Sequence, residues 1–551
     1  MADHFYTVEI LNLSFEANGN VYSNSVRLQE FLGQKKIAER RLGLIDRHEI
    51  YSQIKAGSEL NLDNAYIKDF SISEYKQKLE IPPHEKLIIS GISAQNAFFD
   101  CDSVIDFSYL NFQEKITFKE TVFSHGMLTF AHSDFNADEI DFSACRFHSH
   151  LTTFENADFN STNLIFESSK ISGESISFVN ASFNCNEVNF KRVNFGTAKV
   201  KFQFAEFGTG NKLFERIKAN GSVFDFRRVI FGSGKIDFRR SMLNCGFISF
   251  EESEIKDGKL TFRMSKFSGG DLSFRRMEFG KDEANFDHID FGNRNISFES
   301  AHASVISISN SSVHANLDLR IKHADKIDLC HTYLYAITDL NFLKKDALEK
   351  LSILGIRNLG KIIIRWKENN VRALIENAGG TSEEIADQFN SLKDNFSNNG
   401  QYNDEDEAYV YFKRFEHKHN REAALQKYTV LRPLIQVQYA LRSLVFDKMG
   451  LYATNPNRVL LSMIVAIFSF AGIYILFSLF GIGEIVNSVD ASDKLDIFDK
   501  SLYHSAITFF TIGYGDFYPT SFNRMISAFE GWTGVFMMSY FTVAFVRKIL
   551  R

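Results

Sequence analysis

Residues 116–142 read ITFKETVFSHGMLTFAHSDFNADEIDF, and this stretch contains the pattern that decides the fold of most of the chain. Phe118, Phe130 and Phe142 stand twelve residues apart in it. The spacing continues without a shift, so that sixteen phenylalanines share one register: Phe118, Phe130, Phe142, Phe154, Phe166, Phe178, Phe190, Phe202, Phe214, Phe226, Phe238, Phe250, Phe262, Phe274, Phe286 and Phe298. Such strict recurrence indicates a repeat architecture in which each unit packs on the next.

Two further apolar positions accompany the ladder phenylalanines. An aliphatic residue usually stands two positions earlier, as Ile116 does before Phe118, which is the alternation of a short strand with one buried face. A second apolar residue, such as Phe123, usually follows five positions later. The apolar spacing therefore alternates between five and seven residues. It predicts short strands wound into a β-solenoid with about 24 residues in each coil.

This pattern resembles the pentapeptide-repeat family, whose chain forms a right-handed quadrilateral β-helix with Phe or Leu at each inward position. The resemblance implies a right-handed solenoid, which we expect over residues 85–340 after an N-terminal cap region at residues 1–84. Every second unit of this chain is stretched from five to seven residues, so its cross-section departs from that of the family.

The composition is unusual mainly in its aromatic content, because 57 of the 551 residues are phenylalanine. The net charge is −6 and the mean hydropathy is −0.16, so any membrane segment must occupy a small part of the chain. The first 40 residues are polar and predict no cleaved signal peptide. Five widely spaced cysteines without a Cys-x-x-Cys pair favour reduced packing residues over a disulfide framework or a zinc site.

Basic pairs follow several ladder phenylalanines. Three of them are arginine pairs: Arg227 and Arg228, Arg239 and Arg240, and Arg275 and Arg276. On a coil of about 24 residues, Glu251 and Glu252 lie between the first and the third pair. The pairs indicate either a surface ladder of ion pairs or an anion site for a nucleotide, a phospholipid or a nucleic-acid backbone. Residues 208–212 (GTGNK) lack a complete phosphate-loop pattern and fall where the repeat needs a turn.

Beyond Leu340 the apolar period becomes helical, which predicts a cytoplasmic helical connector over residues 341–433. Thr381 and Glu384 form a capping box at the start of one helix, and a second helix follows Asp404. This pair resembles a tetratricopeptide-type hairpin. An amphipathic stretch at residues 434–457 then predicts a helix that lies at a membrane interface.

Two apolar stretches predict membrane helices within residues 458–551. Residues 459–482 contain no charge and are long enough to cross a hydrocarbon core of about 30 Å. Residues 525–546 include polar and small residues, so we expect this stretch to pack against protein and to line a water-filled space. Basic residues flank both stretches, whereas the loop between them is acidic: Glu484, Asp490, Asp493, Asp496 and Asp499. The asymmetry predicts that both termini, and with them the solenoid, are cytoplasmic.

The most specific motif lies between these stretches. Residues 502–510 form an apolar segment too short to cross a membrane, and TIGYGD follows at residues 511–516. A potassium ion that loses its water needs rings of oxygen atoms, and a chain that turns successive carbonyls to one axis needs glycines. The region from about residue 440 to residue 551 resembles two-transmembrane potassium channels of the prokaryotic ion-channel type.

The resemblance implies that backbone carbonyls, together with the Thr511 hydroxyl, bind potassium ions at four residues: Thr511, Ile512, Gly513 and Tyr514. It implies an outer mouth at Gly515 and Asp516. It also implies that Thr508 lies in the pore helix, that Tyr518 forms an external blocker site and that Gly534 is the hinge of the inner helix.

Two residues near the motif need separate consideration. Ile507 stands where some relatives have a carboxylate that braces the filter aspartate, so we expect Asp516 to be less firmly held. Glu530 is an acid within the second apolar stretch, where an unpaired charge is costly. It is expected either to form hydrogen bonds behind the filter or at a helix contact, or to face the conduction path and attract cations.

One filter loop per chain predicts a homotetramer, since four copies are needed to surround one ion axis. The sequence has no arginine-rich voltage-sensor helix. Gating by a ligand or a protein partner is therefore expected to act through the solenoid and the connector, which would pull on the segment before Val459 and not on the inner helix.

We therefore predict a potassium-selective channel of the inner (plasma) membrane that conducts passively, binds potassium ions and lipid, and performs no enzymatic chemistry. Small-molecule, anionic or protein regulators of the solenoid fit this prediction better than nucleic acid, because the solenoid surface has mixed charge. Two alternatives are a constitutively open or weakly selective cation channel with a scaffold solenoid, and a membrane-anchored binding protein.

Overall fold

The computed structural model describes residues 4–342, 344, 346–428, 430–488 and 495–550. The acidic loop residues Asp490 and Asp493 lie outside these residues. The chain divides into two compact units, Met1–Ala378 and Gly379–Arg551. The first unit is built mainly of short β-strands, and the second is mainly helical.

The first unit confirms the predicted β-solenoid, which has about 13 turns. Strands of successive coils pair in parallel, and in the central coils the partners are 24 residues apart, as Leu128 and Thr152 are. This confirms the coil length that the alternating spacing predicts. Two later coils are shorter, because Ile296 pairs with Leu317 and Leu317 pairs with Thr338.

Most strands of the described residues belong to three sheets. One begins with antiparallel strands and continues as parallel coils: His4–Leu11, Asn24–Leu32, Lys35–Ile45, Ala65–Lys68, Phe98–Asp100, Val122–Ser124, Arg146–Phe147 and Lys170–Ile171. The second is parallel throughout: Val104–Asp106, Met127–Thr129, Leu151–Thr153, Ser175–Ser177, Lys199–Lys201, Val223–Asp225, Phe247–Ser249, Asp271–Ser273, Ile296–Ser297, Leu317–Asp318, Ile337–Asp339 and Lys361–Ile363.

The third sheet contains further parallel strands of the same coils: Leu60–Asn61, Leu87–Ile89, Ile92–Ser93, Leu110–Gln113, Ile116–Thr117, Asp134–Asn136, Glu139–Asp141, Asp158–Ile165, Ser182–Asn189, Glu206–Phe207, Asn211–Leu213, Ile236–Asp237, Leu260–Thr261, Glu283–Asn285, His302–Ser307, His323–Asp328 and Leu348–Ser352. Three smaller sheets complete the described part of the first unit. Phe15–Ala17 pairs with Asn20–Tyr22. One parallel set contains Lys218–Ala219, Met242–Leu243 and Lys266–Phe267, and another contains Ser312–Val313, Tyr333–Leu334 and Arg357–Asn358.

The ladder extends beyond the predicted bounds of residues 85 and 340. Ala65–Lys68 already pairs with the following coil, and Lys361–Ile363 is still paired with the preceding one. The predicted cap region and the predicted connector therefore both contain solenoid strands. Smaller apolar residues continue one ring column after Phe286: Ile308 and Leu329 inside the predicted bounds and Ile353 beyond them, all fully buried.

The ladder phenylalanines form two facing columns in the core, and all sixteen are buried. Rings 24 residues apart stack face to face, as Phe130 and Phe154 do with centroids 5.0 Å apart and planes within 2°. Rings twelve residues apart meet edge to face across the coil, as Phe118 and Phe130 do at 5.6 Å and 76°. Edge-to-face packing is a favoured arrangement of aromatic rings. One repeat of the sequence is therefore half a coil.

A left-handed backbone position follows each ladder phenylalanine by two residues, from Glu120 to Ser300. None of these residues is glycine; examples are Phe204 (φ 59°), Arg216 (φ 60°) and Met264 (φ 62°). Left-handed geometry costs roughly 1–2 kcal/mol for a residue with a Cβ atom. The sequence pattern did not predict these turns, because the residues that occupy them share no side-chain chemistry.

Lys212 fills an inward position that its neighbours in the ladder, Val188 and Ile236, fill with aliphatic side chains. Its Nζ donates hydrogen bonds to the carbonyl oxygens of Gly208, at 2.7 Å, and Ser233, at 2.5 Å. Burial lowers the pKa of Lys212 to about 8. The GTGNK segment is therefore a turn stabilised by its own lysine, as the repeat predicts.

Helices of the first unit are α1 (Arg47–Lys55), α2 (Ile72–Lys78) and α3 (Val371–Ala378). Those of the second unit are α4 (Ser382–Asn398), α5 (Tyr402–Lys427), α6 (Arg432–Arg442), α7 (Pro456–Leu479), α8 (Ile497–Phe509) and α9 (Asn523–Ile549). The capping box of Thr381 and Glu384 is present at the start of α4. Phe389 of α4 packs against Phe415 of α5 with ring centroids 5.8 Å apart, which confirms a helical connector.

The predicted interfacial helix at residues 434–457 is shorter than expected. A π-helical turn, Ser443–Lys448, continues α6, and the chain then leaves the helix. The reason is a run of left-handed residues, Leu451 to Ala453, with φ between 48° and 62°. Among the described residues α7 is the helix that is long and apolar enough, by length and composition, to cross a membrane.

Candidate functional site

Helices α7, α8 and α9 position the segment at residues 511–516. Asp496 caps α8 through a hydrogen bond that its Oδ1 accepts from the amide of Asp499, at 2.7 Å. Phe509, at the other end of α8, is fully buried in a cluster with Val459 and Met537 of the flanking helices. The antiparallel strands Ile485–Asn487 and Phe517–Pro519 pair on the far side of the segment. Both ends of the segment are thereby fixed.

The backbone of the segment alternates in handedness. Thr511, Gly513 and Gly515 have positive φ angles of 54°, 58° and 78°, and Ile512 and Tyr514 between them do not. Alternation of this kind turns successive peptide groups the same way, so that their N–H groups lie on one side and their carbonyl oxygens on the other. Glycine is suited to two of the three left-handed positions. The φ pattern of TIGYGD is thus the one that can turn successive carbonyl oxygens to one side, and we call residues 511–514 the carbonyl row.

Hydrogen bonds from the segment to α8 hold this backbone in place. The amide of Thr511 donates to the carbonyl of Thr508 at 3.0 Å, and the amide of Ile512 donates to the carbonyl of Ile507 at 2.8 Å. The segment therefore follows directly from the carbonyl end of a helix, which carries about half a negative charge. Both the helix end and the row of carbonyl oxygens favour a cation.

Asp516 is braced by a residue that the sequence analysis missed. The hydroxyl of Tyr503 donates a hydrogen bond of 2.8 Å to Oδ2 of Asp516, and the amide of Ser488 donates one of 2.8 Å to its backbone carbonyl. The Tyr503 hydroxyl therefore supports Asp516, although Ile507 offers no carboxylate. Tyr503 lies four residues before Ile507, on the same face of α8. That spacing is the signal that would have found it.

Glu530 joins the three helices of the site. Its side chain is fully buried, and Oε2 accepts a hydrogen bond of 2.6 Å from the hydroxyl of Tyr474 in α7. Oε1 accepts a second hydrogen bond from the hydroxyl of Ser505 in α8. The structure places Glu530 at a helix contact, which is one of the two predicted locations. Tyr474 and Ser505 carry no sequence pattern that would have identified them.

Gly534, the expected hinge position, lies at a very close approach between α9 and α8. A Cβ atom there would stand 1.9 Å from the carbonyl oxygen of Phe509. Gly531, one turn earlier, has more room, because its Cβ would stand 3.9 Å from the carbonyl oxygen of Thr508. Gly534 is therefore required for the packing of α9 against the end of α8.

Thr508 lies in α8, as expected, and its hydroxyl is 3.4 Å from Nε2 of His504. Tyr518 lies in the strand after the segment, opposite Val486, and 43% of it is exposed. Both residues are therefore close in sequence to the carbonyl row, Thr508 before it and Tyr518 after it.

Helix α5 of the connector contacts both the segment before α7 and the C-terminal end of α9. Nη2 of Arg414 in α5 lies 2.8 Å from Oδ1 of Asp447, which precedes α7. At the end of α9, Arg547 and Lys548 lie 3.2 and 3.0 Å from the carboxylate of Asp406 in α5. Helix α5 therefore contacts the inner helix α9 as well as the segment before Val459.

The arginine pairs of the solenoid form ion pairs with neighbouring carboxylates. The carboxylate of Glu252 forms ion pairs with Arg228, at 2.7 Å, and with Arg276. Glu252 therefore lies between these arginines, as a 24-residue coil predicts. Arg227 and Arg239 each contact a carboxylate two residues earlier at 2.7 Å, and Arg275 contacts Glu299 at 3.0 Å. Arg240 occupies one of the left-handed turns. The arrangement matches the ion-pair alternative and gives no support to an anion site.

The cysteines are packing residues, as the sequence predicts. All five are free thiols, and Cys245, like three of the others, is buried. Within the described ranges the structure brings together no group of three or more metal-binding side chains.

Residues 462–551 match a protein-family model described as ion channel. No curated protein and no solved structure matches the chain. The matched residues contain most of α7, all of α8 and α9, and the carbonyl row between them. The apolar α7 and the family match together indicate a membrane protein. This chain therefore joins an N-terminal β-solenoid to a C-terminal domain of the ion channel family.

Proposed function

We propose that the protein is a homotetrameric, potassium-selective channel that conducts passively and is gated by its solenoid. The observation that carries the proposal is the carbonyl row at residues 511–514, with φ angles that alternate in sign. Rings of carbonyl oxygens replace the water of a potassium ion in selective filters. A single chain supplies one side of such a cage, so four chains are required to complete it.

Surface exposure around the row supports assembly. Ile512 and Tyr514 are 51% and 71% exposed in the single chain, although both side chains are large and apolar or aromatic. Exposed stripes of this kind mark interaction surfaces. On α9, Met525, Phe529 and Trp532 add a further exposed stripe. We assign these surfaces to contacts with the other three subunits and with lipid, and α9 to the second membrane crossing.

Gating is proposed to pass through α5, because this helix contacts the segment before α7 and the end of α9. The chain runs from α3 of the solenoid unit into α4 through Gly379 and Gly380, with φ angles of 80° and 113°. A ligand or protein that binds the cytoplasmic solenoid would change the position of α4 and α5 and thereby of α9. With both termini in the cytoplasm, the basic ends of α7 and α9 lie on the inner side of the plasma membrane.

The test is ion flux through purified protein in liposomes. We expect potassium efflux down its gradient, much slower sodium efflux, and a particle of four chains of 63.1 kDa each. Equal rates for the two ions would contradict selectivity and favour the weakly selective alternative. No flux at all, with correct insertion shown by protease protection, would favour the membrane-anchored binding protein.

A pair of glycine variants assigns the flux to the carbonyl row. Gly513→Ala introduces a Cβ atom at a left-handed position and is expected to abolish potassium selectivity. Gly481→Ala is the matched control, because Gly481 is also left-handed, with φ 68°, has no neighbour within 4 Å of its Cβ position and lies outside the row. Loss of selectivity in both variants, or in neither, would contradict the assignment.

A further inference from the structure

A groove of about 870 Å³ lies between the π-helical turn and the first half of α7. Its lining is polar at one end and mainly apolar along α7. Lys448 and Arg458 lie at the polar end, and Leu461 and Val465 lie along the apolar part. The buried face of α7, which includes Val459 and Met463, is directed elsewhere, into the helical bundle.

The polar end of the groove is positively charged. Nε of Arg458 donates a hydrogen bond of 2.8 Å to the backbone carbonyl oxygen of Lys448, so the Arg458 guanidinium lies against the backbone of the other basic residue of the groove. None of the residues that line the groove is acidic. The nearby carboxylate of Asp447 is occupied by its ion pair with Arg414, 2.8 Å away. The charges of Lys448 and Arg458 are therefore available to an anion.

The remainder of the groove suits a hydrocarbon chain. Leu461 and Val465 are 61% and 57% exposed. The two serines of the lining are satisfied within the protein: the Ser469 hydroxyl donates to the carbonyl oxygen of Val465 at 2.7 Å, and the Ser462 hydroxyl lies 2.9 Å from the carbonyl oxygen of Met449. The stripe from Arg458 to Ser469 is about 16 Å long at 1.5 Å per residue.

We propose that this groove binds an anionic phospholipid, with its phosphate at Lys448 and Arg458 and an acyl chain along Leu461 and Val465. Helix α7 is apolar enough to cross a membrane, so the groove opens at the depth where headgroups meet hydrocarbon. Paired basic residues at that depth attract anionic lipids. The inference rests on the insertion of α7 into a membrane and is independent of potassium selectivity.

The test is native mass spectrometry of the full-length protein titrated with palmitoyl-oleoyl phosphatidylglycerol or with the zwitterionic phosphatidylcholine of the same chains. Wild-type protein is expected to prefer phosphatidylglycerol. The double variant Lys448→Gln and Arg458→Gln is expected to lose about tenfold in phosphatidylglycerol affinity, with phosphatidylcholine unaffected. Arg442→Gln is the matched control, since Arg442 lies in α6 over the ring of Tyr439 and does not line the groove.

Further outcomes keep the proposal falsifiable. Ser469→Phe fills the apolar end without a change in charge and is expected to lower the affinity for both lipids. Two results would overturn the proposal. Wild-type protein could show no preference for phosphatidylglycerol over phosphatidylcholine, or the double variant could bind phosphatidylglycerol as tightly as the Arg442→Gln control does. Crosslinking of a Leu461→Cys variant to a neighbouring subunit in bilayers would also overturn it, because the groove would then be a protein contact. Ion flux is not needed for any of these measurements, so a failure here is distinguishable from a failure of the channel proposal.

Discussion

At the scale of single residues, buried polar groups and close backbone approaches in α9 decide what the site tolerates. Glu530 is fully buried and accepts hydrogen bonds from Tyr474 and Ser505. Gly534 allows α9 to approach the carbonyl of Phe509. Neither residue belongs to the carbonyl row, yet both determine the position of α8, from which the row extends.

Replacement of Glu530 by Ala is expected to destabilise the helical domain by about 2–5 kcal/mol. The hydroxyls of Tyr474 and Ser505 would lose their acceptor, which costs about 1–3 kcal/mol for each buried group, and the missing side chain would leave a cavity. Glu530→Gln keeps the shape and one acceptor oxygen and is expected to cost less than about 1.5 kcal/mol. Thermal unfolding in detergent measures both. If Glu530 faced the conduction path instead, Gln would change conductance and Ala would not lower the unfolding midpoint.

Gly534→Ala is expected to displace α8 and to abolish potassium flux and tetramer stability together, since the new Cβ atom would meet the Phe509 oxygen at 1.9 Å. Gly531→Ala is the control on the same helix. Its Cβ has 3.9 Å of clearance, and alanine stabilises a helix by about 1 kcal/mol over glycine. Size-exclusion chromatography and flux distinguish the two. A Gly534→Ala tetramer of normal stability with altered gating would indicate a hinge and contradict the packing role.

At the scale of elements, the two phenylalanine columns hold the coils together. Phe190 stacks between Phe166 and Phe214 with centroids 4.8 and 5.1 Å away. Phe190→Ala is expected to destabilise the solenoid by about 3–5 kcal/mol. Phe204→Ala is the matched control, because Phe204 is 48% exposed at a turn, and it is expected to cost less than about 1 kcal/mol. Chemical unfolding followed by circular dichroism compares them, and equal losses would contradict the column model.

Helix α5 is the element that relays movement in the proposed gating. Asp406→Asn removes the carboxylate nearest to Arg547 and Lys548, and full-length channels carrying it are expected to lose any regulation that a solenoid-binding regulator exerts. The side chains of Asp406 and Arg547 are only 10% and 22% exposed, so the pair is partly shielded from solvent. Glu407→Gln, on the same helix, is the control. Single-channel recording measures open probability, and unchanged regulation in Asp406→Asn would show that α5 does not relay it.

The sequence predicts these elements unequally, for physical reasons. A period of twelve residues is visible because buried rings must stack, so the solenoid, its coil length and the position of Glu252 follow from the pattern. The left-handed turns are invisible because backbone geometry at residues such as Arg216 does not depend on a shared side chain. The brace of Asp516 was missed because a tyrosine, Tyr503, acts one helical turn away from the position where a carboxylate was expected.

At the scale of the whole molecule, the boundary after Ala378 divides the chain into a β-solenoid unit and a helical unit that contains the ion channel domain. Removal of residues 1–378 is expected to leave a fragment that assembles and conducts potassium with an open probability that no solenoid-binding regulator can change. The reason is that α4 to α9 retain all their mutual contacts, including those of Arg414 and Asp406.

Open probability recorded from that fragment and from the full chain in the same bilayers provides the measurement. Identical behaviour of the two, with and without cell extract that contains regulators, would remove the sensor role and leave the solenoid as a scaffold. A fragment that fails to assemble would instead assign the solenoid to tetramer formation. The boundary itself was not predictable from the phenylalanine period, because the period ends at Phe298 and the last coil, beyond residue 340, buries Ile353 where earlier coils bury a ring.

The parallel ladder also gives the molecule a length that can change in fixed steps. Excision or duplication of 24 residues from the central coils would leave every later strand opposite an equivalent partner and move it by about 4.8 Å along the axis. A change of twelve residues would instead exchange the two aromatic columns and turn all following surfaces to the opposite side. Spacing between early and late coils of the solenoid is therefore quantised, and natural variation in this region should arise as whole windings.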